Sequence, residues 1–198
     1  MPFGAHETME VHEILNEKLN MIQHFQLYAQ MTQQAEIRAM LQRQLAAIIP
    51  AYNQLVAYTH DYAAANRQLP SYPSAVSSVS PQQIQYGLSN PMQMGVPTGS
   101  GLTDSQIVSA MLSCHKNSAK LHMQASLECA DPNVRQMLIQ GAVRCAEQAY
   151  EVFLFMNRQG MYQVPTMNDH TAKTFLHSYQ PVQLQDSFAA GGSTMLQQ

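Results

Sequence analysis

The sequence predicts an all-α protein, a ferritin-like four-helix bundle made of two helical hairpins joined by a long crossover linker. Three observations carry that expectation. Apolar residues recur at spacings of three and four in four separate stretches. No segment rich in Val, Ile and Thr alternates as a strand would. A block dense in Pro, Ser and Gly parts the four stretches into two pairs. With 198 residues, the chain is long enough for one domain with a sizeable core.

The first helix is expected from about Glu7 to Gln30, where Val11, Ile14, Leu15, Met21, Ile22, Phe25 and Tyr28 form one stripe. Glu7, Glu10, Glu13 and Glu17 read as a solvated face whose early members favour the positive end of the helix dipole. A break at Thr32-Gln33-Gln34 leads into a second helix from Ala35 to about Arg67, with Thr32 as its N-cap. Ile37, Leu41, Leu45, Ile48 and Leu55 mark its apolar side, and Pro50 should bend it. Residues 68–102 carry Pro70, Pro73, Pro81, Pro91 and Pro97 with Gly95, Gly99 and Gly101, so they cannot continue a helix.

The third helix starts at Thr103-Asp104-Ser105-Gln106, a capping box in which Thr and Gln satisfy each other's orphan donors, and runs to about Cys129. Asp131-Pro132 opens the fourth as an N-cap followed by proline at the first helical position, and Gly160 closes it. Its core stripe is Val134, Leu138, Gly141, Cys145, Ala149, Val152 and Met156. Ile37-Arg38-Ala39-Met40-Leu41 and Val134-Arg135-Gln136-Met137-Leu138 open the second and fourth helices alike, which suggests two related hairpins. The expected divisions are therefore 1–67, a first hairpin; 68–102, a linker; 103–160, a second hairpin packing with the first as one domain; and 161–198, a largely irregular tail. The linker can cross ~50 Å, the length of about 33 helical residues at ~1.5 Å each, although simple up-down-up-down packing stays open.

Composition bears on function. Charged residues are only 12% of the chain, below the roughly 25% of an ordinary soluble domain, and 25 Gln and 14 Met fill the gap. Such a weakly charged, soft surface resists association poorly, which leans toward an assembly protein. Ten Lys and Arg without a basic run argue against nucleic acid. No apolar run approaches the ~18 residues of a membrane span, and the amino terminus lacks a basic and apolar leader. Cys114, Cys129 and Cys145 all fall in helical patterns, which fits a reducing compartment and inert thiols.

A dinuclear metal centre in such a bundle needs Glu-x-x-His on two helices, because residues three apart share a face. The chain has no Glu-x-x-His, and no metal or other cofactor is expected. His12, His115 and His122 are the weak candidates for a metal or small-ligand site in the bundle, against the plainer reading of hydrogen-bonded, half-buried side chains. No hydrolase or nucleotide-binding constellation appears, so no enzyme activity and no catalytic residue is expected. Tyr150-Glu151-Val152-Phe153-Leu154-Phe155-Met156 covers more than one helical face. Tyr150, Phe153, Leu154 and Phe155 are therefore an expected association surface, covered either by the chain beyond Gly160, with Tyr162, Phe175, Leu176 and Tyr179 as anchors, or by another subunit.

Leu102-Thr103-Asp104-Ser105-Gln106-Ile107, then Leu112, Lys116 and Lys120, then Glu128-Cys129-Ala130-Asp131-Pro132-Asn133-Val134-Arg135, and finally Gly160-Met161-Tyr162 and Pro165, resemble the spore coat protein F (CotF-like) family of endospore-forming bacteria. The match covers about residues 102–165, and the hairpin beginning His6-Glu7 is similar to what precedes that region in longer members. The resemblance implies a ferritin-like helical fold and a non-enzymatic structural or assembly role in the spore coat, after synthesis in the cytoplasm of a sporulating cell. It implies other spore coat proteins as partners, with homo-oligomerisation a further option, and no catalytic set to carry over. The alternatives are a metal- or small-ligand-binding bundle protein and a soluble sporulation adaptor.

Overall fold

In the computed structural model, residues 3–62, 79–89 and 101–182 are described. Most of the expected linker, the expected last turns of the second helix and the end of the expected tail lie outside the described residues. The described residues divide into two units, 1–164 and 165–198. The first holds four long helices: α1 (Ala5–Met31), α2 (Ala35–His60), α3 (Asp104–Leu127) and α4 (Pro132–Arg158). The second holds α5 (Asp169–Leu176), within a stretch expected to be largely irregular.

The helix ends follow local chemistry. At α3, the Thr103 N–H donates to Gln106 Oε1 at 2.8 Å while Gln106 N–H donates to Thr103 Oγ1 at 3.4 Å, the expected capping box. Asp131 caps α4 by accepting from the N–H groups of Asn133 and Val134 at 2.8 and 3.2 Å. Gly160, at φ +71°, ends α4. The Met161 N–H reaches the Met156 carbonyl at 2.8 Å and the Gly160 N–H reaches that of Asn157 at 3.0 Å, a Schellman closure. Thr32 is not the N-cap of α2, a position held by Gln34. It is the C-cap of α1, buried, and its hydroxyl donates to Asp104 at the start of α3.

The expected stripes form the core. Val11, Ile14, Met21, Ile22 and Phe25 of α1 meet Ile37, Leu41, Ile48 and Leu55 of α2, Ile107, Met111 and Ala125 of α3, and Val134, Leu138, Ala149, Val152 and Met156 of α4. Fully burying each larger apolar side chain contributes roughly 1.5–3 kcal/mol before the entropy of ordering is charged against it.

Polar contacts at the helix ends fix the topology. At one end, Thr32 joins the close of α1 to the start of α3, and Arg158 at the close of α4 pairs with Glu36 at the start of α2. At the other, Glu7 near the start of α1 accepts from the Asp131 N–H at 2.9 Å, and the Tyr58 hydroxyl near the close of α2 donates to Asp131 at 2.7 Å. So α1 is antiparallel to α3 and α2 to α4, besides the two hairpins. The chain leaves α2 at one end of the bundle and enters α3 at the opposite end. The up-down-up-down alternative does not occur. Glu7 is also not solvated: it is 3% exposed and serves as an acceptor between helix ends.

Candidate functional site

Midway along the bundle the apolar stripes give way to a polar layer. Counting in heptad-like steps along each stripe brings Lys18 of α1, Gln44 of α2, His115, Ser118 and His122 of α3, and Gln148 of α4 inward, and all six are buried. Glu17 of α1 and Glu151 of α4 reach the same interior from positions that are partly buried.

Its hydrogen bonds form a chain through all four helices. The Ser118 hydroxyl donates to Glu17 Oε1 at 2.8 Å, linking α3 to α1. His115 Nε2 lies 2.9 Å from Gln44 Oε1, linking α3 to α2. Gln44 Nε2 donates to Glu151 Oε2 at 2.9 Å, linking α2 to α4, and Arg43 donates to the other oxygen of that carboxylate at 2.7 Å. The Gln148 amide adds a long contact to the Gln44 carbonyl at 3.5 Å.

These partners set the imidazole tautomers. A carboxylate only accepts, so the Gln44 group on Glu151 is its NH2, its oxygen faces His115, and His115 carries the proton on Nε2. His122 Nδ1 lies 2.8 Å from the Ser118 carbonyl, which also only accepts, so His122 carries its proton on Nδ1. His115 Nδ1 and His122 Nε2 are left as buried lone pairs without a partner, as is Glu17 Oε2. Burial, with a smaller contribution from the Lys18 charge, pushes both histidines down to about 3, so both are neutral at pH 7. Burial likewise pushes the Glu17 carboxyl up, partly offset by Ser118, and the Lys18 amine down.

His122 packs closely against Gly141 of α4: a Cβ built there would be 2.4 Å from His122 Cδ2. His115 meets the Phe25 ring edge-on at 5.2 Å between centroids. The histidine candidates therefore separate. His115 and His122 enter the interior, whereas His12 is exposed on α1 and joins neither. Among the described residues no group of three or more His, Cys, Asp and Glu could hold a metal ion. Burial, first, then nearby acidic and thiol groups, push the Cys114 and Cys129 thiols up to about 12 and about 11, and burial also raises Cys145. As nucleophiles they are quiet.

The expected association surface is reduced. Phe155 is 1% exposed and belongs to the core, because it follows Val152 by three residues on the buried face. Tyr150, Phe153 and Leu154 are partly buried. Tyr150 stacks on Phe153 at 5.7 Å, and Tyr162, just past the end of α4, meets Phe153 edge-on at 5.2 Å. The chain itself thus supplies part of the cover. Glu17 and Gln44 were not expected to be interior residues. Gln44 could have been found, since it lies three residues after Leu41 and four before Ile48 on the apolar stripe.

Residues 103–165 match the Coat F domain family. Over 191 residues the chain is 29% identical to the spore coat protein F-like protein YhcQ of Bacillus subtilis, covering 96% of this chain and 86% of that protein. The crystal structure of a candidate spore coat protein from Bacillus halodurans C-125 aligns with a TM-score of 0.63, covering 85% of this chain and 97% of that one at 13% identity. The last match shows a shared fold. The resemblance to the coat F family read from the third and fourth helices is borne out.

Proposed function

We propose, from the premise that residues 103–165 match the Coat F domain, that this chain is a non-enzymatic component of the bacterial spore coat acting through association with other coat proteins. The observation that carries the proposal is the near-complete alignment to a spore coat protein F-like relative, 96% of this chain and 86% of the other, which extends well beyond the matched domain. Physical features support it. The interior polar groups are largely spent on one another, which favours a structural role for the layer. The half-exposed pair Tyr150 and Leu154, with Phe153 between them, offers aromatic and aliphatic contact area of the kind that anchors protein interfaces. The weakly charged, Gln- and Met-rich composition favours association as well.

The test is location. The tagged full chain, expressed from its own promoter in its sporulating host, is followed by fluorescence and by recovery in the coat extract of purified spores. A ring at the spore periphery and recovery in the extract are expected. A signal spread evenly through the mother cell, with none in the extract, would overturn the coat role and favour a soluble adaptor.

A further inference from the structure

A second concave site lies away from the polar layer, where the segment before α3 returns to the end of α4. Its frame is held by backbone clasps. Asn157, 2% exposed, accepts from the Gln85 N–H at 2.8 Å and donates to the carbonyls of Gln85 and Tyr162, both at 3.0 Å. The Gln163 side chain accepts from the Ser89 N–H at 2.8 Å and donates to the Ser89 carbonyl at 2.6 Å. The Gly87 N–H donates to the Val164 carbonyl at 2.9 Å. Between these clasps lies a groove of about 390 Å³, lined among others by Gln85, Tyr86, Ser89, Gln159 and Tyr162. That volume is at the small end of the ~300–1,000 Å³ typical of small-molecule sites, room for a mono- or disaccharide.

The lining chemistry narrows the ligand. Among the described residues, no carboxylate, amine or guanidinium lines the groove. Lys116, beside it, is occupied with Tyr162, 5.0 Å from the ring centroid and 3.4 Å from the hydroxyl, and Arg158 pairs with Glu36. An ionic ligand would enter with its charge unpaired, and an apolar one would strip water from amides without replacing it. An extended peptide adding as a strand finds little to bond, because the N–H and carbonyl of both Gln85 and Ser89, and the N–H of Gly87, are already engaged. What stays available is side-chain chemistry. The carboxamides of Gln85 and Gln159 carry both donors and acceptors, and Tyr86 is 61% exposed with a flat apolar face and a hydroxyl.

We propose that this groove binds a neutral saccharide, the Gln85 and Gln159 amides pairing with ring hydroxyls and the Tyr86 ring packing on the C–H face of the sugar. Hydroxyls that both donate and accept match carboxamides better than any singly handed group, and the backbone clasps join the two walls of the groove without a ligand. The inference is independent of the coat role.

The full chain is titrated calorimetrically with maltose, cellobiose, lactose and N,N′-diacetylchitobiose, and with glucuronic acid and a tetra-alanine peptide for comparison. Saturable binding of at least one neutral disaccharide is expected, weakened tenfold or more by Tyr86→Ala and by Gln159→Ala, whose exposed positions leave the helical circular dichroism unchanged. No heat and no amide shift in NMR spectra with any of the four up to about 10 mM would overturn the proposal. So would tighter binding of glucuronic acid or the peptide, or binding that both variants leave intact.

Discussion

Acid should loosen this bundle through its two interior histidines, at pH values where ordinary carboxylates are still ionised. In the unfolded chain each imidazole takes up a proton near its ordinary 6.5, whereas in the fold His115 and His122 resist protonation down to about 3. Each is a group with a depressed folded pKa: its stabilisation is complete above 6.5 and is lost as the pH falls toward 3. Taking the pH from about 7.5 to about 5 costs roughly 2 kcal/mol per histidine and roughly 4 kcal/mol for the pair, at about 1.4 kcal/mol per pH unit below 6.5. That is a large share of the roughly 5–15 kcal/mol by which domains are stable. Two neighbours modify the slope. Lys18, with its amine pushed down, acts in the same sense but its window opens below 10.5. Glu17, with its carboxyl pushed up, works oppositely: its stabilisation is full below 4.5 and is lost as the pH rises through its folded value. The assay is urea unfolding followed by circular dichroism at several pH values across that range. The double variant His115→Gln, His122→Asn keeps a donor toward Gln44 and toward the Ser118 carbonyl but removes both titrating rings. A midpoint that does not move with pH in the wild type, or a slope as steep in the double variant as in the wild type, would refute the reasoning.

Other substitutions probe the same frame. Gly141→Ala should lower the melting temperature by the equivalent of ~1–3 kcal/mol, because the new Cβ would collide with a His122 ring that is held by its bond to Ser118, and this outweighs the ~1 kcal/mol gain in helix propensity. Asp131→Ala removes the α4 cap and the acceptor of the Tyr58 hydroxyl together, so a loss of ~1–3 kcal/mol in chemical denaturation is expected, against a few tenths for an ordinary exposed Asp. Cys129, raised from 9.0 to about 11, should carry roughly a hundredfold less thiolate than a free cysteine at neutral pH, and Cys114 less still. Disulfide reagents should therefore label the native chain slowly and the urea-unfolded chain fast; rapid native labelling would contradict the burial.

How much of this was legible in the sequence depended on the range of the interaction. The boxes at Thr103 and Asp131 and the closure at Gly160 involve residues within a few positions, so local chemistry fixes them and the sequence displays it. The stripes of Ile37, Leu41 and Ile48, or of Val134, Leu138 and Val152, were legible because burial imposes a period on each helix separately. Thr32 was misassigned because its partner Asp104 lies 72 residues away, and nothing near Thr32 distinguishes a cap for the following helix from a tie to a distant one. Glu7 and Glu17 were read as solvated because a carboxylate on an amphipathic helix usually is. Their partners, the Asp131 N–H and the Ser118 hydroxyl, come from the other hairpin.

The same long-range contacts explain why the chain adopts one topology when its apolar stripes are indifferent between two. A stripe of Leu, Ile and Met can pack against a parallel or an antiparallel neighbour at similar cost, since dispersion and burial carry little direction. Hydrogen bonds do carry direction. Glu17 with Ser118, His115 with Gln44, and Gln44 with Glu151 can all be satisfied only when α3 runs antiparallel to α1 and α4 antiparallel to α2, at one height along the bundle. A shift of one turn, or the reversed second hairpin of an up-down-up-down bundle, would part Gln44 from His115 and Glu151 and strand the buried Gln44 and His115, at ~1–3 kcal/mol for each stranded group. The layer thus discriminates by what it would lose elsewhere more than by what it gains in place, as a buried polar residue does when it sets register in a coiled coil. The end contacts at Thr32, Asp131 and Glu36 select the same pairing, so interior and ends agree on the long connection between α2 and α3.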